Sequence, residues 1–316
     1  MMAKKFLNPE QKKRRYLANA KRYTVIAAFL LPYLFLFATF FIYPFFYGIY
    51  ISFFRWNVFD TASSTFVGFE NYQKALFGIG DITVWREYFW LGLKNTLIFV
   101  FISVPLLILV PLIIAILIDI QPRGYKVFRV IFFLPTVLSI SAIGIIWKWQ
   151  FDTNNGFING IINLFGGESV SWLNTQPGAW IAILVTTVWW TIGTNTVILG
   201  AGLKEVDKQL YEAAELDGCN YFQVLRHISL PAISNQMIIC TITTVIASFN
   251  IYGQPALLTG GGPERSTTVL MMFIRGQLTG TNAQPGLAAA MAILMGILII
   301  MVSIGQLIYN RRVVNR

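Results

Sequence analysis

The chain has 316 residues, of which 56% are hydrophobic and 12% charged, and its mean hydropathy of +0.62 is too high for an ordinary soluble domain. A polytopic membrane protein is expected, and the net charge of +10 must be read from where the cations lie before a nucleic-acid or acidic partner is inferred. With only two cysteines, Cys219 and Cys240, neither a disulfide framework nor a cysteine zinc site is expected.

Residues 1–23 form a basic segment carrying Lys4, Lys5, Lys12, Lys13, Arg14, Arg15, Lys21 and Arg22. The run that follows is uncharged from Thr24 to Phe54, longer than a secretory signal core, with proline and aromatics where a small-residue cleavage site would stand. It is expected to stay as an anchor. A helix needs about 20 apolar residues to cross a bilayer core. Runs of roughly that length predict six spans: Thr24–Tyr47, Thr96–Ile118, Val130–Ile146, Trp180–Gly202, Gln236–Leu257 and Leu287–Tyr309. Residues 24–316 are therefore expected to form one all-α, six-helix transmembrane domain, with Gly193 and Pro255 as candidate helix breaks. The longest segments between spans, Arg55–Asn95 and Gln150–Ala179, are too short for a substantial core of their own.

An even number of spans puts both termini on one side. The N-terminal cations then share that side with Arg123, Lys126, Arg129, Lys204, Lys208, Arg226, Arg311, Arg312 and Arg316. The other side receives only Arg55, Lys74, Arg86, Lys94, Lys148, Arg265 and Arg275, so the positive-inside rule predicts cytoplasmic termini. The basic balance is a topology signal, and cations scattered over separate membrane flanks give no nucleic-acid surface. Trp56, Trp85, Trp90, Trp147 and Trp149 lie near span ends and are expected at the headgroups.

No span retains an acidic side chain inside its uncharged core, although Asp119 stands at one end, so there is no obvious proton carrier. Sodium held by backbone carbonyls at a broken helix stays open. ATP would need a phosphate-cradling glycine loop with its lysine. The nearest stretch, Gly260-Gly261-Gly262-Pro263-Glu264-Arg265-Ser266-Thr267, has Arg265 in place of the second glycine and no Gly-Lys-Ser/Thr, and it falls on the external side. The chain is not expected to be an enzyme, to bind a cofactor or to hold a metal: its one histidine, His227, has no ligand cluster around it.

The cytoplasmic loop 203–233 carries the most specific pattern: Glu212-Ala213-Ala214, then Gly218, then Ile228-Ser229-Leu230-Pro231. Leu203, Val206, Leu210, Ala213, Ala214 and Asp217 follow one helical face and predict a short amphipathic helix. Ala213 and Ala214 allow close approach by a partner, Gly218 can take the left-handed turn that ends a helix, and Pro231 suits the first turn of the next. Without the full pattern, a helix lying on the membrane surface would serve equally well.

This spacing resembles the EAA loop of bacterial ABC-importer permeases. Phe66-Val67-Gly68-Phe69-Glu70-Asn71-Tyr72, Phe133-Leu134-Pro135, Gly261-Gly262-Pro263 and Gly286-Leu287-Ala288-Ala289-Ala290 extend the resemblance toward the permeases of maltose and glycerol-phosphate importers. The resemblance implies the MetI-like fold of type I importers in a bacterial inner membrane. It also implies that the loop is a coupling helix docked in an ATPase cleft, with Glu212, Ala213, Ala214, Gly218, Ile228, Leu230 and Pro231 as coupling residues. Partners so implied are a second, homologous permease, two ATP-binding subunits that hold ATP and Mg, and an extracytoplasmic substrate-binding protein. The large external domain of the maltose permease has no counterpart here.

A sugar path needs hydroxyls, amides and aromatic faces inside the bundle. Trp189, Trp190, Thr191, Thr194 and Asn195 on the fourth span, and Thr244, Ser248, Phe249, Asn250, Tyr252 and Gln254 on the fifth, supply them, although such residues also serve simply as links between helices. An importer of another polar solute such as glycerol-phosphate, a stand-alone facilitator and a membrane scaffold or receptor are the competing readings.

Overall fold

The computed structural model describes residues 9–58, 60–79, 83–279 and 283–314, and the side chains among these except those of 11–21 and 311–314. Lys4, Lys5 and Arg316, used above for topology, lie outside the described residues. Four helices are each long and apolar enough to cross a membrane, and two bent pairs raise the number to six among the described residues.

The chain opens with α1 (Pro9–Phe37), a π turn at Ala38–Ile42 and α2 (Tyr43–Ser52), continuous in direction. Pro44 explains the wide turn. It has no N–H and its ring crowds the carbonyl four residues back, so the Tyr43 N–H reaches the Ala38 carbonyl one residue further away. Residues 22–47 are exposed, and α2 meets the bundle chiefly on the last helix. A short antiparallel pair, β1 (Phe54–Arg55) and β2 (Thr65–Phe66), pairs Phe54 with Phe66 and leads to α3 (Glu70–Leu76). Asn71 locks this corner by donating to the carbonyls of Ser52 at 2.8 Å and Phe54 at 2.9 Å.

The centre of the bundle is α4 (Val84–Asp119), whose 36 residues extend about 54 Å at ~1.5 Å per residue and so project beyond a bilayer core of about 30 Å. This is why it starts well before the expected Thr96. Next come α5 (Tyr125–Phe133), a 3₁₀ turn at Leu134–Val137 and α6 (Ile140–Gln150). The expected straight third span, Val130–Ile146, is instead bent by 105°. Pro135 removes a helical N–H, Leu138 is extended, and the Ser139 hydroxyl accepts the Ala142 N–H at 3.3 Å to start a new helix.

After α7 (Phe157–Leu164), α8 (Gly178–Lys204) runs unbroken and packs mainly on α4. Gly193 is therefore a contact point and not a break: a β-carbon there would lie 2.7 Å from both the Phe132 oxygen and the Phe133 Cα. The loop that follows holds α9 (Lys208–Leu216), α10 (Tyr221–Val224), a π turn at Leu225–Ser229 and α11 (Leu230–Ala232). It leads at a 66° bend into α12 (Ser234–Phe249). The fifth span also departs from expectation: α12 stops at Asn250, and α13 (Gly253–Leu258) is a separate short helix, so the break precedes Pro255. Finally α14 (Leu270–Gly276) packs on α4 through the Leu270 N–H to Thr96 hydroxyl bond at 3.0 Å, and α15 (Pro285–Val314) closes the bundle.

Phe99, Ile183, Leu199, Ile233, Leu270, Leu287 and Met291 are fully buried, in three apolar clusters strung along α4. Trp149 is 83% exposed, as an interfacial residue should be, whereas Trp147 packs edge-on against Trp189 at 5.5 Å and belongs to the interior. The Gly260–Thr267 stretch folds back on itself, with the Thr259 and Thr267 hydroxyls 2.7 Å apart, and Asn95 donates to the carbonyls of Arg265 at 3.0 Å and Thr268 at 2.9 Å.

Candidate functional site

A cavity of about 560 Å³ opens where α12 breaks off before α13. Nine of the eleven polar and aromatic candidates from the sequence line it: Trp190, Thr191, Thr194 and Asn195 from α8, Thr244 and Ser248 from α12, and Asn250, Tyr252 and Gln254 from the break and the start of α13. Trp189 packs on Trp147 instead, and Phe249 is buried in the core with Leu270 and Met291. Thr187 and Thr243 join the lining, along with Phe99 and Leu107 of α4. Thr187 could have been found by period alone, since 187, 191 and 194 share a helical face with 190 and 195. Among the described residues no charged side chain lines the cavity. At its margin the Arg275 guanidinium lies 4.7 Å from the centre of the Tyr252 ring.

These polar groups are not all available to a ligand. Thr187, Thr191 and Thr243 donate to carbonyls one turn back at 2.7, 2.8 and 2.9 Å, leaving lone pairs facing the space. Trp190 donates to the Leu138 carbonyl at 3.2 Å, across the bend between α5 and α6. Asn195 joins three helices: its Nδ2 donates to the Leu107 carbonyl at 2.8 Å and the Thr244 hydroxyl at 3.0 Å. Ser103 donates to Ser248 at 3.3 Å. By contrast, Thr194, Tyr252 and the buried carboxamide of Gln254 make no side-chain hydrogen bond among the described residues and face the cavity with donors and acceptors unused.

The loop between α8 and α12 projects from one end of the bundle. Asp207 caps α9 by accepting the Gln209 N–H at 3.0 Å, so the helix starts at Lys208 and Leu203 belongs to α8. The expected single apolar face from Leu203 to Asp217 is thus split between two helices. Ala214 is buried and the Tyr211 hydroxyl lies 3.1 Å from Ser229, while Glu212, Ala213 and Leu210 point outward. Gly218 has a φ of +74°. Its N–H reaches the Glu215 carbonyl at 3.1 Å and the Cys219 N–H reaches Ala214 at 2.9 Å, the paired bonds of a left-handed helix terminus.

The return strand of the loop is helical, beginning with a reciprocal cap between Asn220 and Gln223. Pro231 again follows a wide turn, with the Leu230 N–H reaching Leu225. Ile228 and Leu230 are half-buried, and Leu230 packs on the core around Leu199 and Ile233. Outward, the loop shows Leu210, Leu216, Tyr221 and Phe222, which are 51%, 89%, 56% and 68% exposed, beside Glu212, which makes no ion pair among the described residues. The His227 Nδ1 lies 3.0 Å from the Gln223 carbonyl, a local helical contact, and no group of three or more metal-ligating side chains occurs among the described residues.

A largely apolar cavity studded with uncharged polar groups, inside a bundle of membrane-length helices with a helical knob at one end, gives the chain the architecture of a multi-pass membrane protein. Residues 92–315 match the family model described as the binding-protein-dependent transport system inner membrane component. The sulfoquinovosyl glycerol transport system permease protein of Agrobacterium fabrum is 31% identical over 254 residues, covering 80% of each chain. The trehalose/maltose transport system permease protein of Thermococcus litoralis is 31% identical over 208 residues, 66% of this chain and 68% of that one. A crystallised bacterial alginate ABC transporter, solved with a periplasmic protein carrying an alginate pentasaccharide, has a chain that superposes with a TM-score of 0.80 at 21% identity over 95% of this chain and 98% of that one. The chain belongs to the binding-protein-dependent ABC transporter permease family.

Proposed function

We propose that the chain is one permease subunit of an ATP-driven importer for a sugar or oligosaccharide, forming half of the translocation path. The observation that carries this reading is the cavity: uncharged, with Trp190 and Tyr252 offering ring faces and Thr194, Asn195, Asn250 and Gln254 offering hydroxyl and amide groups. Such a surface suits a polyhydroxylated, neutral solute better than an ion. The names of the relatives, which are permeases for sulfoquinovosyl glycerol and for trehalose and maltose, support the same class.

On this reading the α9 knob faces the cytoplasm with both termini and docks on one of two ATPase subunits, which carry ATP and Mg. A second, homologous permease completes the path, and an extracytoplasmic binding protein delivers substrate. Closure of the ATPases moves α9. Tyr211 and Ser229, together with the rigid terminus at Gly218, pass that motion to α8 and α12, the two helices that wall the cavity. The chain contributes the path and the coupling, and hydrolysis belongs to the ATPases. Thr194→Trp places an indole in the cavity and is expected to cut uptake at least tenfold in vesicles, while binding-protein-stimulated ATP hydrolysis continues. Undiminished uptake would remove the cavity from the path.

A further inference from the structure

A second cavity, of about 510 Å³, lies at the end of the bundle opposite α9 and shares no lining residue with the first. Arg55, Trp56, Lys74, Trp85 and Gln284 form its walls. It is framed by the end of α2 at Ser52 and the start of α15 at Pro285, the ends of two membrane-length helices, and by the first turn of α4, the part of that helix that projects beyond a bilayer core.

Among the described residues its walls hold two cations and no acid. Both cations share one carboxylate behind the wall: Glu70 Oε1 lies 2.9 Å from Arg55 Nη2 and 2.6 Å from Lys74 Nζ. The hydrogen bond from Lys74, with that from Arg55 behind it and burial opposing both, holds the Glu70 carboxyl below its ordinary range. Glu70 is therefore ionised at neutral pH and cancels one positive charge, leaving the other for the cavity. The Lys74 side chain is only 18% exposed, so its charge is directed into this space more than into bulk water. Gln284 is half-buried, and its carboxamide makes no hydrogen bond among the described residues.

We propose that this cavity binds the phosphate headgroup of an acidic phospholipid, with Arg55 and Lys74 on the phosphate and Gln284 on a headgroup oxygen. Position selects a lipid over a soluble anion: the cavity adjoins the ends of the membrane-length helices α2 and α15, and Trp56, which lines it just past α2, is the kind of residue that gathers at headgroups. The acyl chains have a path down the apolar side of α2, where Phe45, Phe46 and Tyr50 are 63%, 62% and 51% exposed. A lipid so held would staple α2 to α3 and α15 at the junction through which the first span joins the bundle.

The test needs no transport and is independent of the substrate reading. The full-length chain in neutral detergent is titrated with dioleoyl-phosphatidylglycerol or dioleoyl-phosphatidylcholine, and adducts are counted by native mass spectrometry. Phosphatidylglycerol is expected to bind more tightly. Each cation near a membrane surface contributes about fivefold, so Arg55→Gln with Lys74→Gln should remove the preference. Glu70→Gln should act in the opposite direction and tighten it, which keeps the test decisive if the double variant does not fold. Lys148→Gln, at the same end but outside the cavity, should change nothing. Three results would overturn the proposal: equal binding of the two lipids, displacement of the lipid by millimolar inorganic phosphate, or a double variant that binds phosphatidylglycerol as tightly as the wild type.

Discussion

Asn195 offers the sharpest test of how the cavity wall is held together. Pro111 sits inside α4 without an N–H, so the Leu107 carbonyl one turn earlier has no helical donor. The Asn195 Nδ2 takes that role from the neighbouring helix at 2.8 Å and also reaches Thr244 at 3.0 Å. Asn195→Leu leaves the carbonyl orphaned in an apolar setting, which costs about 1–3 kcal/mol, whereas an ordinary interhelical hydrogen bond in a membrane protein averages about 0.6 kcal/mol. Pro111→Ala restores the missing N–H. Alone it should be close to neutral, and combined with Asn195→Leu it should recover about 1 kcal/mol, a coupling measurable by a double-mutant cycle of unfolding in bicelles. Strict additivity of the two changes would refute this account of the α4–α8 contact.

Other outcomes follow from single contacts. Gly193→Leu forces a side chain against the backbone at Phe132 and Phe133, where even a β-carbon would lie at 2.7 Å, and should destabilise the folded chain by about 1–3 kcal/mol in the same unfolding assay. The lowered Glu70 carboxyl stabilises the α3 corner above its ordinary value of 4.5, and that contribution should fade as pH falls through the lower folded value. Protection of the α3 amides from hydrogen exchange, corrected for the intrinsic rate at each pH, should fall in that acid range in the wild type, and Glu70→Gln should abolish the pH step. Because the group is largely solvated, the effect is confined to this corner.

Periodicity and uncharged length are enough to locate the bundle, since a bilayer leaves a segment few alternatives to an apolar helix. They do not report direction. The 105° turn between α5 and α6 depends on Ser139 capping a fresh helix after Pro135, and the stop of α12 at Asn250 depends on tertiary packing of α13 against α6. An uncharged run through either point reads as one straight span. The cavity candidates were legible because polar residues are conspicuous in apolar helices. Their division into groups that join helices and groups left free required the bonds of Asn195 and Ser248, and the silence of Thr194 and Gln254. The motif Phe66–Tyr72 was visible as a pattern only. Its physical role is the lock of Asn71 on the Ser52 and Phe54 carbonyls, which no spacing reveals.

The central claim is that α9 couples ATP hydrolysis to movement of solute through the cavity. It is tested most directly by ATP-dependent uptake into vesicles containing the reconstituted complex, using the saccharide selected by ligand screening of the cognate binding protein. Glu212→Lys inverts the charge on the outward face of α9, where the side chain is exposed and makes no ion pair among the described residues, and leaves the buried Ala214 and the Gly218 terminus intact. The account predicts uptake reduced at least tenfold with the chain still folded and inserted. Uptake that matches wild type would contradict it.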